Sequence, residues 1–194
     1  MIKWLTFFSI VVSLLSFVFV PLAGTEMKGQ TRVEASPDDP AATDVDRKFI
    51  RRAFEIAREA VAKGNRPYGA LLVHEGKILA EDSNTVNQTG DITKHAESGF
   101  LALATQKYSR DVLSQSTLYA SGEPCLMCRG AINWARLSRL VYGSSASQTN
   151  KVYGRQSRGI PIKETFERTN PNLMLVGPVL EEEGLKVHVD FTSK

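Results

Sequence analysis

Two short constellations carry residue types that can hold a metal ion. His95-Ala96-Glu97 sets an imidazole two residues before a carboxylate, and Pro124-Cys125-Leu126-Met127-Cys128 sets two thiols three residues apart. The second spacing brings both sulfurs onto one face of a helical turn. The chain has only two cysteines, and both lie in this motif. His95, Cys125 and Cys128 thus offer three ligands, one short of the four that close a structural zinc site; catalytic zinc keeps its fourth position for water. Two thiolates cancel the charge of Zn²⁺, so such a metal is a weaker Lewis acid than one held by imidazoles, and its water needs help to lose a proton. Glu97 is placed to give that help as a general acid–base without itself being a ligand. The chemistry expected is hydrolysis by an activated water, with one zinc per chain. A lone Cys-x-x-Cys also suits a metal-free thiol–disulfide protein, and a lone histidine is usually a surface or capping residue. Both motifs together, each opening a helix, favour the metal.

The elements that must position these residues can be read from apolar spacing. Thr43 and Asp46 resemble a capping pair, and Phe49, Ile50, Ala53, Phe54, Ala57, Ala60 and Val61 recur at helical spacing until Lys63-Gly64. Residues 70–73 and 78–80 form an expected hairpin around His74-Glu75-Gly76-Lys77, with His74 a surface turn residue. A second helix begins near Asp91-Ile92-Thr93, holds His95 and Glu97 in its first turn, and buries Ala96, Phe100, Leu101 and Ala104. Residues 117–120 read as a buried strand, Pro124 as the start of the helix carrying both cysteines, and residues 140–142 as another strand. A helix N-terminus favours thiolates. The tail is ambiguous: residues 186–190 alternate like a strand, whereas Glu181-Glu182-Glu183 suits a helix start. His188 has no motif around it and reads as structural. Strands alternating with helices imply an α/β sheet covered on both faces.

With 194 residues, 42% of them hydrophobic and 23% charged, the chain can bury one good core but hardly two. Its beginning differs in character. Lys3 is followed by an uncharged run from Trp4 to Val20 and then by Pro21-Leu22-Ala23-Gly24. Residues 1–24 therefore read as a signal peptide, or as an N-terminal membrane anchor if uncleaved, so that the protein is expected to be exported to a periplasm or secreted. Residues 25–43 read as a flexible linker, and residues 44–194 as the zinc-dependent domain.

From Phe49 to about Phe191 the chain resembles the cytidine and deoxycytidylate deaminase superfamily, within it the branch holding guanine deaminase and the tRNA adenosine deaminase. The residues that carry the resemblance are Arg66-Pro67-Tyr68-Gly69-Ala70, Ser83-Asn84, Thr93 to Glu97 and Glu123 to Ile132, including the H-x-E…P-C-x-x-C pattern of zinc nucleobase deaminases. The resemblance implies a three-layer α-β-α sandwich around a five-stranded mixed sheet, a homodimer, and water-driven removal of an exocyclic amine. It further implies that Asn84 hydrogen-bonds the base and that the N–H of Ala96 helps hold it. Tyr68 stands where guanine deaminases carry an aromatic, which points to a free purine base or nucleoside with guanine first; Tyr153 is a candidate to stack on the ring. Lys94 departs from the branch, which usually carries a small residue there, as does the leader.

The metal motif itself does not choose among guanine, adenine and cytosine, so a tRNA adenosine deaminase and a cytosine or cytidine deaminase remain alternatives. From Arg129 to Arg168 there are eight basic residues against two acidic ones, a surplus that can track a phosphate backbone. The net charge of only +3 and the acidic run Glu181 to Glu183 argue instead for a solvated basic loop and a small-molecule substrate.

Overall fold

The computed structural model describes residues 37–156 and 159–193. Within them the chain runs α1 (Asp44–Ala62), β1 (Gly69–His74), β2 (Lys77–Ser83), α2 (Val86–Thr89), α3 (Ala96–Lys107), α4 (Arg110–Ser114) and β3 (Thr117–Gly122). It continues with α5 (Leu126–Trp134), β4 (Arg139–Ser144), α6 (Ala146–Val152), α7 (Ile162–Thr169), β5 (Met174–Val176) and α8 (Glu181–Thr192).

The start of α1 follows from its capping box. The Asp46 N–H donates to Thr43 Oγ1 at 3.2 Å and the Thr43 N–H donates to Asp46 Oδ2 at 2.8 Å, so two otherwise orphaned donors are satisfied. Asp46 then does a second job. Its carboxylate accepts from Arg139 at 2.7 and 2.9 Å and from the Tyr119 hydroxyl at 2.9 Å, which locks α1 to β3 and β4. Burial opposes its ionisation, but Arg139 and the Thr43 and Tyr119 bonds outweigh it and hold Asp46 well below the usual carboxylate range.

The five strands lie in the order β2-β1-β3-β4-β5, with β1 antiparallel to both neighbours and β3, β4 and β5 mutually parallel. Side chains alternate along each strand, so the sheet feeds two cores. Leu72, Leu118 and Leu140 pack with Phe100, Ile132 and Phe166 from α3, α5 and α7. Leu71, Tyr119 and Val141 pack with Ile50 and Phe54 of α1 and Val187 of α8 on the opposite face. This is the three-layer sandwich around a five-stranded mixed sheet that the resemblance implies. Gly69 lets α1 approach closely: a Cβ there would stand 2.6 Å from the Ala53 carbonyl oxygen.

Two expectations need correction, and one ambiguity is resolved. The helix with both cysteines begins at Leu126, so Cys125 caps it and Pro124 precedes the cap instead of opening the helix. His95 likewise caps α3, with only Glu97 inside its first turn. Residues 186–190 are helical, because Glu181, Gly184, Leu185 and His188 recur every three to four residues on the buried side of α8. The stretch expected as a linker is anchored at its end: the Leu180 N–H donates to Asp38 Oδ1 at 2.7 Å and the Gly177 N–H to Asp39 Oδ2 at 3.0 Å. The expected leader, residues 1–24, lies outside the described residues. Among the described residues no helix is long and apolar enough to cross a membrane.

Candidate metal centre and active site

The ends of two helices on one face of the sheet assemble the site. His95 at the start of α3 and Cys125 at the start of α5 both have extended, non-helical backbones, which turn their side chains toward each other across the α3–α5 packing. Cys128 follows one turn into α5 and is fully buried. His95 Nδ1 lies 3.5 Å from Cys125 Sγ and 3.7 Å from Cys128 Sγ, and the two sulfurs are 3.7 Å apart.

These distances test whether zinc fits. A tetrahedron's edge is about 1.6 times its centre-to-corner distance, so ligands ~2.0–2.3 Å from zinc stand about 3.3–3.8 Å from one another. All three observed edges fall in that interval. Hydrogen bonding from the Cys128 thiol draws Cys125 well below the usual thiol range, and the same contact together with burial pushes Cys128 up. Coordination to zinc would deprotonate both sulfurs outright.

Glu97 Oε2 approaches Cys128 Sγ at 3.5 Å, and only 7% of the residue is exposed. Burial, above all, pushes its carboxyl above the ordinary range, the setting of a group that exchanges protons. Beside Cys125 opens a cavity of about 630 Å³ whose wall includes Tyr68, Gly122, Pro124, Asn150 and Ile160.

Residues 43–144 match the cytidine and deoxycytidylate deaminase zinc-binding region. The chain belongs to that family. It is 30% identical over 153 residues to the probable cytosine deaminase of Schizosaccharomyces pombe, covering 77% of this chain and 93% of that one. The guanine deaminase of Bacillus subtilis is 40% identical over 97 residues, half of this chain and 62% of that protein. The solved guanine deaminase from Nitrosomonas europaea shares the fold at a TM-score of 0.66 and 21% identity, covering 84% of this chain and 88% of that one. Similar proteins also include tRNA-specific adenosine deaminases; the chain spans 63% of the length of the one from Agrobacterium fabrum.

In this deaminase the zinc-binding residue set is His95, Cys125 and Cys128, the one cluster of metal-ligating groups among the described residues. The expected substrate contacts are distributed less evenly. Tyr68 is on the cavity wall. Asn84 is 1% exposed; its N–H donates to the Tyr68 carbonyl at 2.9 Å, and its Oδ1 accepts from the Val86 N–H at 3.2 Å. Ala96 is fully buried between His95 and Glu97, and as the first residue of α3 its N–H has no acceptor within the helix. Tyr153 is not on the cavity wall. Its hydroxyl lies 2.9 Å from His188 Nδ1, and the Arg155 guanidinium stands 5.3 Å over its ring.

Two buried residues near the site have contacts that the sequence does not reveal. Arg129, counted there among the basic loop residues, is buried: its guanidinium donates to the Pro124 carbonyl at 2.7 Å, to the Ile160 carbonyl at 2.6 Å, to Thr165 Oγ1 at 3.0 Å and to Glu123 Oε1 at 2.7 Å. It joins the residue before Cys125 to the far side of the cavity. His188 is the other. It is 1% exposed and touches both Tyr68 and Tyr153.

Proposed function

We propose that this deaminase acts on a small amino-purine base or nucleoside, guanine first, replacing an exocyclic amine with a carbonyl and releasing ammonia. The observation that carries the reading is Glu97, a buried carboxylate beside three metal ligands but outside the set. His95, Cys125 and Cys128 would hold a zinc ion, which would supply Lewis acidity to lower the pKa of water. Glu97 is placed to take a proton from the attacking water and pass it to the adjacent ring nitrogen as the C–O bond forms, and then to carry the new hydroxyl's proton to the amine, which leaves as ammonia as the C–N bond breaks and the carbonyl forms. The Ala96 N–H and the Asn84 amide, whose Oδ1 is already engaged, offer donors to the ring's edge. Tyr68 forms an aromatic wall.

Similarity to the Bacillus subtilis guanine deaminase supports a purine. The basic residues support a small substrate over RNA. Arg129 and Arg139 are engaged in ion pairs with Glu123 and Asp46, and Arg168 and Lys163 pair with Glu164 and Glu167 on their own helix. Arg129 and Arg139 are thereby withdrawn from contact with a phosphate backbone, which reduces the local excess of basic residues. Residues 1–24 are proposed as a leader that exports residues 44–194, and the working form as a homodimer. The test is a screen of free bases, nucleosides and a tRNA anticodon arm for ammonia release. Guanine should lead, and a preference for cytosine, or turnover of the tRNA alone, would overturn the purine assignment.

A further inference from the structure

Two residues that belong to no metal motif lie against Tyr68. A Cβ built at Gly122 would stand 3.3 Å from Tyr68 Cε1, tighter than side chains ordinarily pack, and 3.5 Å from Cδ1, an ordinary contact. His188 meets the Tyr68 ring at a centroid distance of 5.2 Å and an angle of 60°. His188 is in turn fixed by Tyr153, through the 2.9 Å hydrogen bond to Nδ1 and an edge contact at 5.7 Å. Two elements far apart in sequence, the end of β3 and helix α8, thus meet at one ring, and the residue that caps the end of α6 backs the second of them. The ring they hold lies on the cavity wall beside Cys125. It is also the wall that the proposed function assigns to the substrate.

We propose that His188 is a positioning residue for substrate selection, acting through Tyr68, with Tyr153 as its anchor and Gly122 leaving the room that the ring occupies. The proposal rests on the reading of Tyr68 as a substrate wall. A base slides between a fixed aromatic face and its hydrogen-bonding groups only if that face keeps its distance, and a packed ring keeps its place through its contacts. His188 does not touch the reacting atoms. Its loss should therefore weaken binding of substrate in ground state and transition state alike, raising KM while leaving kcat near its starting value.

The experiment compares Tyr153→Phe, His188→Ala, Gly122→Ala and the double variant Gly122→Ala/His188→Ala in the full chain, with zinc content measured alongside kcat and KM. His188→Ala should raise KM about tenfold and Tyr153→Phe about threefold, with kcat within about threefold of the parent. Gly122→Ala should also raise KM by crowding the ring. In the double variant the ring can retreat into the space left by the imidazole, so the added methyl should cost less than it does alone. A purely structural role predicts a different pattern, namely a smaller active fraction, with lower kcat and unchanged KM. That pattern, or single effects that simply multiply in the double variant, would overturn the proposal. If the parent enzyme turns over cytosine or tRNA and not guanine, the purine reading fails by itself. The same KM comparison on that substrate then decides the role of His188.

Discussion

Removing the Arg129 guanidinium should expose how much the site depends on a buried ion pair. The Arg129 side chain is 6% exposed and that of Glu123 is 11%, and their N···O separation is 2.7 Å. Burial pulls Arg129 below its ordinary pKa although the nearby Glu123 pushes the other way, so desolvation exceeds the attraction between the two charges. Arg129→Met then leaves Glu123 with the Ala146 N–H at 2.9 Å as its remaining hydrogen-bond donor, and leaves the Pro124 and Ile160 carbonyls without the guanidinium. Breaking one side of such a pair costs about 3–5 kcal/mol. For a domain of this size, at ~2–4 °C per kcal/mol, the melting temperature should fall by about 10 °C. Adding Glu123→Gln removes the stranded charge while keeping an acceptor for Ala146, and should recover about 1–2 kcal/mol. The assay is urea unfolding of the zinc-loaded protein with zinc content measured alongside. A single-variant loss below about 1 kcal/mol, typical of exposed pairs, would refute the reasoning by showing that water reaches the pair. So would a double variant no more stable than the single one.

Glu97→Gln should keep zinc at one per chain and lower turnover by about 10²–10⁴-fold, the usual worth of a positioned acid–base group; loss of zinc instead would make Glu97 a ligand. Asn84→Ala should cost about 1–3 kcal/mol in kcat/KM at unchanged zinc content, and unchanged kcat/KM would remove its amide from the base. Burial draws His188 down to about 4 from an ordinary value of 6.5, so the unfolded chain binds the extra proton first. The associated stability is complete above about pH 6.5 and is lost as pH falls toward 4, by as much as about 3 kcal/mol. Unfolding free energies of the parent and His188→Gln, compared across that window, should diverge by that slope; parallel curves would show that His188 titrates normally.

What was legible in the sequence is what short-range spacing encodes. The α1 cap shows because Thr43 and Asp46 are three residues apart, and the metal ligands show because each half of the site sits within a four-residue stretch. The hairpin of β1 and β2 and the buried strands β3 and β4 likewise show in local apolar runs. Helix α8 is a different case. Lys186-Val187-His188-Val189-Asp190 alternates polar and apolar residues, yet Gly184 packs against Phe54 of α1 and the helical spacing of Glu181, Leu185 and His188 prevails. Tertiary burial, not the five-residue pattern, decides the element. Arg129 and His188 stayed invisible for a related reason. The partners of Arg129 lie as far as 36 residues away, and His188 meets Tyr68 from the opposite end of the domain. No local signal marks the contacts that either one makes.

The measurement that tests the central claim most directly is ammonia release from guanine by purified protein, run in parallel with elemental analysis for zinc on the same sample. The expected result is one zinc per chain, stoichiometric conversion of the amine to ammonia, loss of activity when zinc is stripped, and its return on adding zinc with reductant to restore Cys125 and Cys128. Full activity in metal-free protein, or in protein whose two thiols are joined as a disulfide, would contradict it.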